Sequence, residues 1–224
     1  MHLLLAGIVG STAYGLAGPA SDIDRLGVFA APTVALHGLT PPAESVVSAK
    51  PDATYHEARK YCLLALGGNP TASELMWLPA PLYETTTPLG EELIAIRRCF
   101  LSAPRTRDAY LGYATQQFRK LESRADGSFS SETRHRPAKH ARHLLRLCWQ
   151  GLHAYTTGEI RIRLDEPQRF LDFGERVAAG DIDAARRMLA DYEERFATTP
   201  TVLPDEPDAA TVESWLIRVR AAHL

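Results

Sequence analysis

Residues 2–9, "HLLLAGIV", form an apolar run that stops at Gly10, the pattern of a buried strand. Residues 11–16 predict a brief helix with Ser11 near its N-cap, and "GPASD" is turn chemistry. The alternation in "IDRLGVFAA" (23–31) predicts a second strand, with Ile23 pointing into a core. "ESVVSAKPDATY" puts strand-forming residues on both sides of Pro51, so an edge position or a break is expected there. "HEARKYCLLALGG" has helical spacing through Ala58, Tyr61, Cys62, Ala65 and Leu66 before a Gly-Gly stop. "NPTASELMWLP" restarts with Asn69 as a cap and Pro70 in the first helical turn, then ends at Pro79.

After residue 82 the periodicity is helical almost throughout, over 88–101, 104–124, 137–156, 167–178, 181–196 and 208–222. "RADGSFSSETRHRP" reads as a polar loop and "TTPTVLPDEPD" as a second break. There is no internal repeat. The pattern predicts an α+β chain: a small mixed-sheet core over 1–82, followed by an all-helical unit over 83–224.

Composition narrows the possibilities. With 224 residues, 45% of them hydrophobic, the chain has enough apolar material for a real core. A net charge of −2 gives no global basic field, so any polyanion must be met by a local patch. Cys62, Cys99 and Cys148 lie far apart in apolar helical contexts, without metal-binding spacing. They are expected to be buried thiols in a reducing compartment. The apolar N-terminus is too short to span a bilayer and lacks a basic n-region. The expectation is a soluble cytoplasmic protein with no membrane partner.

Candidate chemistry begins at "GSTAYGLAGPASDIDRLGV" (10–28). On a strand, Asp22 and Asp24 would share a face, and two carboxylates side by side repel unless a cation lies between them. Carboxylate oxygens suit Mg²⁺. Taken alone, the pattern fits an Asx-turn equally well. Gly10 and Ser11 alter the balance. A glycine after a buried strand lets backbone approach a ligand, and the following helix offers N–H groups and the Ser11 hydroxyl to a phosphate. Ser11 precedes Asp22 by eleven residues, a layout suited to a nucleoside triphosphate escorted by Mg²⁺ (or Mn²⁺).

Strand, Gly-Ser, helix and D-x-D together resemble the nucleotidyltransferase signature of the DNA polymerase β superfamily. The longer string, with "RKYCLLALGGNPTASELMWLP", looks like a subfamily of predicted nucleotidyltransferases that includes RNA-ligase-associated members. "KHARHLLRL" (139–147), "GEIRIRL" (158–164) and "LPDEPD" (203–208) are similar to that subfamily's helical region. The resemblance implies transfer of an NMP from an NTP to a hydroxyl, with pyrophosphate released and an RNA end as the acceptor. Two other readings stay open: transfer to a protein or small molecule, and a catalytically idle nucleotide-binding module. It also implies a third carboxylate beside Asp22 and Asp24 as a metal ligand. Asp52 fits a strand, whereas Glu57 falls where a helix begins, so Asp52 is preferred and Glu57 remains the alternative.

Basic groups complete the candidate set. Arg59 and Lys60 follow on one helix, where they are phosphate ligands or a solvated face. On a helix starting near Pro137, Lys139, His143 and Arg146 fall at i, i+4 and i+7, one stripe opposite Leu144, Leu145, Cys148 and Leu152. With the resemblance, Lys139 and Arg146 are expected to reach triphosphate or acceptor, and without it the stripe is an exposed cationic face; His143 is a phosphate donor or a satisfied interior histidine. Tyr14 is expected beneath a nucleotide or in the core, and Trp77, Trp149 and Trp215 in packing.

Overall fold

A computed structural model describes the chain except Ala20 and residues 124–130, and the side chains of 131–135. Two compact units emerge: Met1–Ser102 with Pro204–Leu224, and Ala103–Leu203. The expected boundary at 82/83 falls inside the first unit, where residues 83–102 pack with 1–82 and the chain's last segment joins them.

The first unit is built on a five-stranded mixed sheet ordered β3-β4-β2-β1-β5. Its strands are β1 (His2–Val9), β2 (Asp24–Ala30), β3 (Ser45–Ala49), β4 (Asp52–Glu57) and β5 (Tyr83–Thr86). β1 runs antiparallel to β2 and β5, β3 antiparallel to β4, and β2 parallel to β4. The fold is therefore α+β, as expected. Lys50 and Pro51 join the edge strand β3 to β4, the break expected near Pro51. β5 was not anticipated. It has four residues alternating half-buried and exposed, too short to show above turn composition.

Around the sheet lie α1 (Gly10–Tyr14), α2 (Ala58–Leu66), α3 (Pro70–Glu74) and α4 (Pro88–Ala95). Asn69 caps α3, its Oδ1 accepting from the Ala72 N–H at 3.0 Å. The helix expected over 88–101 breaks into α4 and a 3₁₀ turn, Arg97–Phe100. Leu4, Leu5, Val28, Phe29, Tyr61, Leu75, Met76 and Leu93 are buried.

The chain re-enters this unit as α9 (Ala209–Ala222), whose Trp215 is fully buried and donates from Nε1 to the Leu89 carbonyl at 2.9 Å. Thr33 ties its far end, donating its N–H to the His223 carbonyl and its hydroxyl to the Arg220 carbonyl, at 2.7 Å each. Burying an indole of this size is worth a few kcal/mol, and its N–H keeps a partner.

The second unit holds α5 (Ala103–Glu122), α6 (Ser131–Thr157), α7 (Pro167–Ala178) and α8 (Ile182–Thr198). α6 packs against the other three. Gly151 allows the closest approach, since a Cβ there would strike Tyr110 of α5. In α7, Phe170, Gly174, Val177 and Ala178 give the i, i+4, i+7, i+8 face that meets the core. α6 starts at Ser131, not near Pro137, with that proline inside the helix. Residues 131–137 of the expected polar loop are thus helical, and residues 124–130 lie outside the described residues.

Among the described residues, no helix is long and apolar enough to cross a membrane. The three cysteines are unpaired; Cys62 and Cys148 are buried and Cys99 is half-buried. Burial raises the Cys62 and Cys148 thiols to about 12, which makes them inert packing residues.

Candidate active site at the strand ends

Val9 pairs with Asp24, so the turn that leaves β1 stands beside the point where β2 begins. Gly10 takes up that turn at φ +68°, the left-handed region where a side chain is strained. A Cβ on Gly10 would also collide with Asp24 Oδ2. Glycine is required here on both counts, and the Asp24 carboxylate lies directly against the turn. Ser11 follows, half-buried, in α1.

α1 is held from below. Tyr14 donates its hydroxyl to Glu74 Oε2 at 2.5 Å, and Glu74 is buried in α3. Tyr14 therefore belongs to the support of the turn. Glu74, known from the sequence only through its resemblance string, is the acceptor that anchors it.

Asp52 opens β4 as Asp24 opens β2. The two strands are parallel, with Arg25 opposite Ala53, so Asp24 and Asp52 stand at matching positions one residue earlier. Residues in register on neighbouring parallel strands project to the same face. Asp52 is exposed and Asp24 half-buried.

Asp22 is placed differently from expectation. β2 starts at Asp24, so strand alternation does not govern residues 22 and 23. Ile23, expected in the core, is 47% exposed. Asp22 is exposed and follows a turn in which Ser21 Oγ accepts from the Gly18 N–H at 2.9 Å. Among the described residues, no group of three or more His, Cys, Asp or Glu side chains is gathered as a metal cluster. The pair that backbone register brings together is Asp24 with Asp52. Their donor set is carboxylate oxygen only, which fits Mg²⁺ or Mn²⁺ and not a soft metal.

Glu57, the alternative third carboxylate, has a structural task. It is 3% exposed and receives both Arg220 terminal nitrogens, Nη1 at 2.6 Å and Nη2 at 2.9 Å. It also caps α2 by accepting from the Arg59 N–H at 2.9 Å. Burial raises its carboxyl; Arg220 and the backbone N–H groups of Arg59 and Ala31 outweigh that and leave it below the usual range. Arg59 and Lys60, expected as phosphate ligands or a solvated face, follow the end of β4 opposite Asp52, away from the Asp24–Asp52 pair, and each lies 3.8 Å from Glu44. Arg25 is engaged by Glu84 of β5 at 2.9 Å.

The stripe on α6 belongs wholly to the second unit, and only part of it is exposed. Lys139 faces solvent, His143 is half-buried, and Arg146 is 1% exposed. Arg146 donates to Gln150 Oε1 at 2.7 Å and approaches His143 Nδ1 at 3.2 Å. The expected exposed stripe is therefore corrected: α6 is covered on several sides, which takes Arg146 inside. Burial pushes His143 down to about 2, helped by Arg146, His140, Lys120 and Lys139. Lys120 and His140 were missed in the sequence. Lys120 looks like any last-turn cation of α5, and nothing local says that it meets α6.

A family model described as RlaP, the RNA repair pathway DNA polymerase beta family, matches residues 1–170, spanning the sheet, the Gly10 turn, both aspartates and α6. The chain belongs to this family. It is accordingly a polymerase-β-like nucleotidyltransferase family member tied to RNA repair. A search of curated proteins found no match. The matched span of this RNA-repair family ends before α9, yet α9 completes the unit that carries the aspartates.

Proposed function

We propose that the chain transfers a nucleoside monophosphate from an NTP to a hydroxyl at an RNA end. In this reading the hydroxyl oxygen attacks the α-phosphorus, the bond to the β-phosphate oxygen breaks, and pyrophosphate leaves. Asp24 and Asp52, with Asp22 reaching in from the preceding segment, hold divalent cations (Mg²⁺ or Mn²⁺). Cations held there would supply charge neutralisation for the triphosphate and would favour ionisation of the attacking hydroxyl. The Gly10 turn and Ser11 receive phosphate oxygens. A reducing, cytoplasmic setting belongs to the same reading and is supported by three unpaired cysteines.

The observation that carries the proposal is the juxtaposition of Asp24, Asp52 and the obligatory glycine turn at one end of the sheet. Family membership supports both the transfer class and RNA as acceptor. The test is incubation with each of four α-labelled NTPs, Mg²⁺ and RNA oligonucleotides, in parallel with protein and small-molecule acceptors. Label should pass to RNA and be lost in Asp24→Asn. Label confined to another acceptor, or full labelling by Asp24→Asn, overturns the reading.

A further inference from the structure

The second unit contains a concentration of positive charge with a distinct construction. Lys120 lies in the last turn of α5, and Lys139, His140, His143 and Arg146 lie along α6. Lys120 is one turn beyond Gln117, which meets His140 of α6, so Lys120 lies beside this stretch of α6, and the clustered groups are all basic. Lys120 and Lys139 are exposed, and no ion pair among the described residues includes either. The one carboxylate at the end of α5 among the described residues, Glu122, is taken by Arg186 of α8 at 3.2 Å. His140 is fixed to α5 by Gln117, whose Oε1 lies 2.9 Å from its Nδ1.

The buried polar groups of this stretch of α6 are set in place. A guanidinium only donates, so His143 Nδ1, 3.2 Å from Arg146, is the accepting nitrogen. The neutral ring therefore carries its proton on Nε2. Arg146 is held in turn by Gln150, whose Nε2 donates to the Arg161 carbonyl at 3.0 Å. Like charges gathered in this way repel, and an anion relieves the repulsion.

We propose that the exposed Lys120 and Lys139 form a contact site for the phosphates of the RNA acceptor strand. This rests on the reading of RNA as acceptor and adds where the strand is held. Strand phosphates suit the cluster better than the triphosphate. A triphosphate travels with its divalent cation, which calls for carboxylates, and the cluster brings cations only.

The test is equilibrium binding of a short single-stranded RNA to the full chain, with EDTA and no NTP, over a range of salt concentrations. Each lost phosphate contact flattens log K against log[salt] by about 0.7 for single strands. Lys120→Gln with Lys139→Gln should therefore flatten it by about 1.4, and Lys→Arg at both positions should restore it. Both side chains are exposed, so the fold is retained. Unchanged slope and affinity in the double Gln variant overturn the site while leaving RNA as acceptor intact. No RNA binding by the wild-type chain overturns both. Lost affinity for a non-hydrolysable NTP with the RNA slope intact assigns the cluster to the triphosphate and overturns the proposal.

Discussion

Replacing Arg220 by methionine removes the guanidinium that neutralises a buried carboxylate. Glu57 has 4% of its side chain exposed and Arg220 has 19%, with contacts of 2.6 and 2.9 Å. Removing one partner of such a pair costs roughly 3–5 kcal/mol, because the other charge stays buried and uncompensated. Two features hold the cost near the lower end. The Arg59 N–H still donates to Glu57, and the exposed part of Arg220 gives water a path in. We expect about 3 kcal/mol at pH 7. In the wild type Glu57 titrates below its ordinary range, so its contribution is complete above that range and is lost as pH falls through the lowered value. In Arg220→Met burial dominates and the carboxyl moves up. The deficit should then shrink as pH falls, because the carboxyl of the variant regains its proton at higher pH than that of the wild type. Urea unfolding in a Trp149→Phe background reads this cleanly, since Trp77 and Trp215 both belong to the first unit. A deficit below about 1 kcal/mol, or one flat across pH, would refute the reasoning.

Gly10→Ala should cost about 1–2 kcal/mol for the left-handed backbone alone and should also displace the Asp24 carboxylate, abolishing NMP transfer; thermal melts and the labelling assay read the two effects. His143 should stay neutral from pH 8 to pH 5, so its ring NMR shifts should hold constant; a midpoint near the ordinary imidazole value would contradict its burial among cations. Because its folded pKa is depressed, its share of stability is present above the unfolded value and lost on acidification. Alkylation of the native protein should reach Cys99 before Cys62 and Cys148, as mass spectrometry of tryptic peptides would show.

Local signals were legible and non-local ones were not. The run "HLLLAGIV" became β1, Asn69 capped α3, and the apolar face of α7 matched its expected span, because each depends on neighbours within a turn or two. β5 is short and exists by pairing with β1, a partner far away in sequence. The return of α9 depends on Trp215 and Arg220 meeting Leu89 and Glu57, which no periodicity encodes. At the site, Gly10, Asp24 and Asp52 were visible as residue types at suggestive spacing. What was misjudged was where β2 starts: a one-residue change takes Ile23 out of the core and Asp22 off the strand. The α6 stripe was read on an isolated helix, whereas packing on several sides decides which of its cations reach water.

The central claim is that the in-register aspartates at the starts of β2 and β4 bind divalent cations together. Mn²⁺ binding to the full chain, followed by electron paramagnetic resonance of the free ion, tests this without any assumption about the acceptor. Wild type should bind Mn²⁺ in the presence of a non-hydrolysable NTP, and Asp24→Asn and Asp52→Asn should each lose at least tenfold in affinity, about 1.4 kcal/mol. Mn²⁺ affinity in both variants equal to that of the wild type would contradict the account.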